Sequence, residues 1–320
     1  VLSNLLFLGF GLLCAAIGGE LFVRGLIGVA SWLRLPASVV GATVAAFATS
    51  SPELTVAINA AAEDRPEIAL GDALGSNIVN VGLVIGLLLL VGSSVSDLSR
   101  RDALTALGLT VLLGFMILDG ELARTDGLVL LLCFAAWLSV NLQEALRERD
   151  ERAPSDGQGS NDIALDTLGE RRHGRSVIEA VLGLLFLVAA GRLLVIGAKG
   201  LGADLGLSTF VVGVVLVSLG TSLPELATAV ASKLRGHAEL GLGTALGSNV
   251  FNTSFIVGVA IILSPIDVDR RDVWTSLVFG GAVLVVLLWR VKGESFGRWR
   301  GGLLLAMYGG ALGALLLLQA

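Results

Sequence analysis

Apolar stretches long enough to cross a bilayer recur ten times along this chain, and that recurrence limits the possible folds more than any other feature. A helix needs about 20 apolar residues to span roughly 30 Å of hydrocarbon. The expected spans are 4–29, 38–62, 67–92, 103–119, 125–144, 177–199, 208–232, 239–263, 273–291 and 299–319. Composition agrees: a mean hydropathy of +0.85, with 15% charged residues over 320, leaves too little polar surface to coat a water-soluble globule. The 42 glycines fit the same class, because membrane helices pack through small residues. The fold class is therefore all-α integral membrane. The first segment lacks a basic leader and a cleavage site and reads as a retained helix. Cys14 and Cys133 lie in apolar segments without metal or redox spacing and read as buried free thiols. A net charge of -5 and no basic run give no support for nucleic-acid binding.

The one long polar connection, around Arg147 to Arg175, contains "RERDERAPSDGQGSND" and reads as a solvated tether. It divides the chain into a five-helix unit at 1–144, a linker at 145–176 and a second five-helix unit at 177–320. With ten spans both termini share a side. The linker side collects 16 Lys and Arg against five on the terminal side, so the positive-inside rule places the linker in the cytoplasm and both termini outside.

The two units are copies. "VVGATVAAFATSSPEL" from Val39 returns as "VVGVVLVSLGTSLPEL" from Val211, and "GDALGSNIVN" from Gly71 returns as "GTALGSNVFN" from Gly243. The offset is 172, and 18 of the 42 positions between 39 and 80 are identical to their counterparts. "SRRDAL" from Ser99 and "DRRDVW" from Asp269 carry the likeness further. Because each copy has an odd number of spans, the second must enter the membrane from the opposite side. An inverted repeat of that kind is used by secondary transporters, with a site at the midplane.

Each copy breaks a helix at mid-membrane. Pro52 and Pro224 lack an N–H and crowd the preceding turn, so the helices should open near Ala48 and Gly220. Thr49 and Ser50 share a face with Glu53, as Thr221 and Ser222 do with Glu225. On the following helices Ser76 aligns with Asn80, and Ser248 with Asn252. The expected cluster is all oxygen, without Cys or His, which suits hard cations such as Ca²⁺ and Na⁺ and disfavours Zn²⁺ or copper. A lone membrane proline is ordinarily a kink, and a lone glutamate can pair with a polar neighbour; duplication of both favours function. Gly71 with Gly75, and Gly243 with Gly247, have packing spacing. Asn77 and Asn249 can either cross-link helices or bind ions. Asp72 is matched by Thr244, outside the duplicated pattern, and reads as a hydrated helix position or an accessory group. Glu20 and Arg192 occupy equivalent positions; snorkelling to opposite surfaces is simpler than pairing.

These motifs resemble the two α-repeats of the Ca²⁺:cation antiporter superfamily, in particular its sodium/calcium exchanger branch, over the whole ten-helix layout. The resemblance implies that Glu53 and Glu225 bind Ca²⁺. It implies that Thr49, Ser50, Thr221, Ser222, Ser76 and Ser248 share flanking Na⁺ sites, and that carbonyls near Ala46 and Ser218 contribute. It also implies that the first and sixth helices slide across the other eight. Many such exchangers carry Asp at one of the positions held here by Asn80 and Asn252. Two remaining carboxylates balance one Ca²⁺ or two Na⁺, so the family's three Na⁺ per Ca²⁺ and a ratio of two both stay open. The expected function is Na⁺/Ca²⁺ antiport by alternating access in a plasma (inner) membrane, by a monomer without cofactors. A Ca²⁺/H⁺ antiporter is the alternative, but the Thr-Ser pairs argue for Na⁺. An intramembrane hydrolase is opposed by His173 and His237 falling in loops and by the lack of a second membrane Asp.

Overall fold

The computed structural model describes residues 1–32, 50–92, 100–151, 173–234, 238–289 and 297–319. Almost all of them are helical. Helix α1 is Leu2–Trp32 and α2 is Ser51–Ala62; α3 runs Pro66–Leu90, α4 Arg100–Met116, α5 Arg124–Glu151 and α6 His173–Leu205. Helix α7 comprises Thr209–Val212, Gly213–Val217 and Ser218–Thr221, and α8 is Leu223–Leu234. Helix α9 comprises Ala238–Phe251, Asn252–Ile256 and Val257–Leu263, followed by α10 at Arg270–Leu288 and α11 at Arg298–Leu317. Eight described spans are long and apolar enough to cross a membrane. Of the ten expected, 38–62 is described only from Ser50 onward, and 103–119 corresponds to the 17-residue α4. Helices α5 and α6 extend into the stretch read as linker, and His173, expected in a loop, opens α6. His237 lies outside the described residues.

Local chemistry accounts for the boundaries. Pro52 and Pro66 sit in the first turns of α2 and α3, where a missing N–H leaves no bond unmade. Between these helices Asp64 takes φ 54°, a left-handed conformation that Asp tolerates, and the Arg65 N–H donates to the Ala60 carbonyl at 2.8 Å. Two short strands, β1 (Glu121–Leu122) and β2 (Ile266–Asp267), pair antiparallel and tie the start of α5 to the end of α9.

Three helices contain π-helical segments, at Val79–Ile85 in α3, Gly213–Val217 in α7 and Asn252–Ile256 in α9. The first and third contain or begin at Asn80 and Asn252, equivalent positions of the repeat. A π segment shifts the backbone hydrogen-bond ladder by one residue, and such bulges concentrate at functional sites.

Burial separates inner helices from outer ones, α1 and α6 being among the outer. Every residue from Ile68 to Gly82 of α3 is buried. By contrast α1 exposes Leu2, Leu5, Leu6, Phe10 and Leu13, and α6 exposes Ile178, Val181, Leu185 and Val188, an apolar surface suited to lipid. Helices α1 and α6 pack on each other through glycine. A Cβ at Gly25 would lie 2.2 Å from the Ala180 nitrogen, and one at Gly183 would lie 2.3 Å from the Phe22 nitrogen. Gly11 meets Leu194, and Gly197 meets Leu8 and the Asn4 carbonyl. These glycines obey the 172-residue offset, Gly11 matching Gly183 and Gly25 matching Gly197. Glu20 on this pair bonds Arg24 one turn away, its Oε1 accepting from the guanidinium Nε at 2.6 Å. Pairing of Glu20 with Arg192 is thus replaced by a local ion pair.

Candidate ion-binding site

Helix α2 starts at Ser51, and the expected break near Ala48 lies outside the described residues. Ser50 caps it with its backbone but makes no side-chain cap bond, so its hydroxyl is left for another use. Pro52 then turns the chain so that Glu53, in the first helical turn, enters the protein. Ser50 and Glu53 are both fully buried, and the Ser50 hydroxyl and both Glu53 carboxylate oxygens lack a partner among the described residues. Thr49 and Ala46, the other candidates of this copy, lie outside the described residues.

The second break is sharper than expected and lies two residues later than Gly220. Helix α7 continues through Thr221; Ser222 leaves helical geometry at φ -81°, ψ 5°, and α8 restarts at Leu223 with Pro224 in its first turn. The Ser218 side chain turns back to the Val214 carbonyl at 2.5 Å, while its own carbonyl accepts the Ser222 N–H at 3.0 Å. The Ser222 hydroxyl is buried without a partner among the described residues. Glu225 is 1% exposed and accepts a hydrogen bond from Ser248 at 3.2 Å, which joins α8 to α9 as the duplicated pattern requires.

Helices α3 and α7 cross at backbone contact. A Cβ on Gly71 would lie 2.3 Å from the Phe210 carbonyl, and one on Gly75 would lie 2.6 Å from the Val214 carbonyl, so the packing role expected for this glycine pair is observed. That close approach sets Ser76 3.4 Å from Thr221, hydroxyl to hydroxyl across the two halves. It also delivers a residue that repeat matching left aside: Thr221 donates to Asp72 Oδ1 at 2.8 Å, and Asp72 is 1% exposed. Asp72 is therefore buried at the junction of the halves and is not a hydrated helix position.

Asparagines hold α3 to α9. The Asn77 amide donates to Thr253 Oγ1 at 2.6 Å, the Asn249 amide donates to the Asn77 carbonyl at 3.1 Å, and Asn80 donates to Asn249 Oδ1 at 3.1 Å. Asn77 and Asn249 thus act as cross-links. Asn80 keeps its Oδ1 unpartnered, and both polar atoms of the Asn252 side chain are unpartnered among the described residues.

Glu53 lies within electrostatic reach of both Glu225 and Asp72. Carboxylates in so dry an environment are costly unless a positive charge or hydrogen-bond donors meet them. Both Glu53 oxygens and Asp72 Oδ2 lack a hydrogen-bond partner among the described residues. Nor does any group of three His, Cys, Asp or Glu side chains converge on one point among those residues. Dispersed carboxylates among hydroxyl, amide and carbonyl oxygens suit hard cations that bind and leave, in contrast to a closed thiolate or imidazole centre.

The fold and this chemistry agree with comparison to known proteins. The family described as sodium/calcium exchanger protein matches residues 3–143 and 176–317. Inner membrane protein YrbG of Escherichia coli K12 is 32% identical, the alignment covering 80% of this chain and 79% of that protein. Sodium/calcium exchanger MaX1 of Methanosarcina acetivorans is 27% identical over 95% of this chain and 96% of its own length. Among solved structures, the sodium-calcium exchanger NCX_Mj superposes with a TM-score of 0.64 and 27% identity, covering 98% of both chains. With both halves matched by one family, this chain belongs to the sodium/calcium exchanger proteins.

Proposed function

We propose that the chain is a secondary antiporter that exchanges Na⁺ for Ca²⁺ across a plasma (inner) membrane. In this reading ten transmembrane helices form two inverted five-helix repeats, with both termini outside and the central linker cytoplasmic. The observation that carries it is the matched pair of helix starts at α2 and α8, each burying one glutamate beside a serine hydroxyl that makes no bond among the described residues. Glu53 and Glu225 are the proposed Ca²⁺ ligands. Ser50, Ser76, Thr221, Ser222 and Ser248, with Thr49 and the carbonyls near Ala46 and Ser218, supply overlapping Na⁺ ligands; Asn80 and Asn252 offer amide oxygens.

Ca²⁺ seeks about six to eight oxygens and competes with Na⁺ for the same ones, so occupation by one ion species excludes the other. Sealing an empty pair of carboxylates away from water is expensive, so switching of access is favoured when the site is charge-balanced. Glycine packing of α1 on α6 supports the movement of that pair as a unit. The pair meets the ion-bearing helices at close range: Gly191 closes on Thr55 and Asn59 of α2, and Leu12 rests on Gly220.

The test is ⁴⁵Ca²⁺ uptake into proteoliposomes loaded with Na⁺ and diluted into Na⁺-free buffer, beside a set with only a pH gradient. Uptake that requires internal Na⁺ and survives collapse of the pH gradient is the expected result. Uptake driven by the pH gradient alone would overturn Na⁺ coupling and make the two glutamates proton carriers.

A further inference from the structure

Asp72 is the third buried carboxylate of the cavity, and the duplicated pattern does not explain it. Its Oδ1 accepts from Thr221 at 2.8 Å; its Oδ2 is buried with no partner among the described residues. Thr221 Oγ1 lies 3.2 Å from the Val217 carbonyl, 3.3 Å from the Ser218 carbonyl and 3.4 Å from the Ser76 hydroxyl. One hydroxyl proton serves one acceptor at a time, so oxygens outnumber protons here. Ser76 stands one turn after Asp72 on α3, bringing a second hydroxyl to the same face. The unpartnered Oδ2 is therefore open to a cation, and a buried carboxylate is costly unless a positive charge or a donor meets it.

We propose that Asp72 is an anionic ligand for one Na⁺ beside the Thr221 and Ser76 hydroxyls, at a subsite spanning the two halves of the protein. The proposal rests on the reading of the surrounding cavity as an ion-binding site and adds to it a third anionic residue. Na⁺ is preferred over Ca²⁺ because one carboxylate matches one unit charge, and because the three acidic side chains do not gather around a common point. The consequence concerns charge. Glu53 and Glu225 alone balance two Na⁺; with Asp72 the cavity balances three, although Asn stands at both Asn80 and Asn252. No carboxylate mirrors it in the other half, where Thr244 takes the equivalent place. The third ion therefore binds to one side of the pseudo-symmetric site.

The test uses the purified full-length protein in detergent, read as thermal stabilisation by added ion. Na⁺ is titrated in Ca²⁺-free choline buffer, and Ca²⁺ is titrated in Na⁺-free choline buffer. For Asp72→Asn the Na⁺ half-saturation is expected to rise about tenfold, with a lower Hill slope, while the Ca²⁺ half-saturation moves by a clearly smaller factor. Asp72→Ser, which keeps an acceptor for Thr221 and removes the charge, is expected to raise the Na⁺ value in the same direction and serves if Asp72→Asn does not fold. Unchanged Na⁺ curves in both variants would overturn the subsite and leave Asp72 as a bridge between helices. Equal shifts for Na⁺ and Ca²⁺ would overturn it in favour of a general loss of negative charge. K⁺ reproducing the Asp72-dependent response would overturn the assignment to Na⁺. Glu53→Gln, run in parallel, separates this proposal from the one beneath it: if that variant keeps the full Ca²⁺ response, the cavity reading itself fails, whatever Asp72→Asn does.

Discussion

Two helix pairs related by the same 172-residue offset are joined in opposite ways. Helices α1 and α6 touch through glycine, backbone against backbone, and present apolar side chains outward. Helices α3 and α9 are joined by a ladder of asparagine hydrogen bonds, Asn77 to Thr253, Asn249 to Asn77 and Asn80 to Asn249. Glycine contacts are close but carry little direction, so such a pair can shift as a body against its neighbours. Amide bonds in a dry interior fix one register, because a slip strands polar groups without partners. The duplication thus produced one pair packed backbone to backbone and one pair cross-linked by side-chain amides.

The largest effect is expected at the glutamates of α2 and α8, which flank the asparagine-joined pair. Glu53→Gln and Glu225→Gln are each expected to abolish Ca²⁺ uptake in proteoliposomes while the protein still elutes as a single folded species. Wild-type uptake by either variant would remove the glutamates from the site. The glycine-packed pair is attacked at Gly183→Ala, whose new Cβ would meet the Phe22 backbone nitrogen, an atom that no rotamer change can clear. Uptake should fall several-fold while ion-induced thermal stabilisation persists; equal loss of both would show that the α1–α6 seam supports the site itself. Asn249→Ala removes one partner from two buried hydrogen bonds and should cost about 1–3 kcal/mol of stability in a thermal or denaturant melt. A stability unchanged from wild type would remove the holding role given to the ladder. The smallest effect is expected for Glu20→Gln, which weakens only the exposed ion pair with Arg24 on the outer face. A marked loss of uptake there would mean that the outer pair uses charge as well as glycine.

Much of the candidate site was legible because duplication makes local patterns visible twice. The Pro-Glu pairs and the Ser-Asn spacings each occur in both copies, and the structure brings Ser248 to Glu225 and Ser76 to Thr221. Asp72 was legible as a membrane carboxylate but not as part of the site, because it lacks a twin and its partner Thr221 is 149 residues away. The choice between cross-linking and ion binding for Asn77 and Asn249 also needed the structure, since either role accepts an amide at that spacing.

By itself, then, the sequence determined the solvent of this protein, its internal repeat and the proline-glutamate pairs that open α2 and α8. Those properties follow from hydropathy, offset and the missing N–H of proline, which act within a few residues. The tertiary structure alone decided which oxygens meet. Contact between Gly71 and Gly213 backbones sets how α3 crosses α7, a Cβ at Gly213 standing 3.1 Å from the Asp72 nitrogen, and that crossing carries Asp72 and Ser76 to Thr221. Meetings between distant helices depend on how their surfaces fit, and no local periodicity encodes that fit.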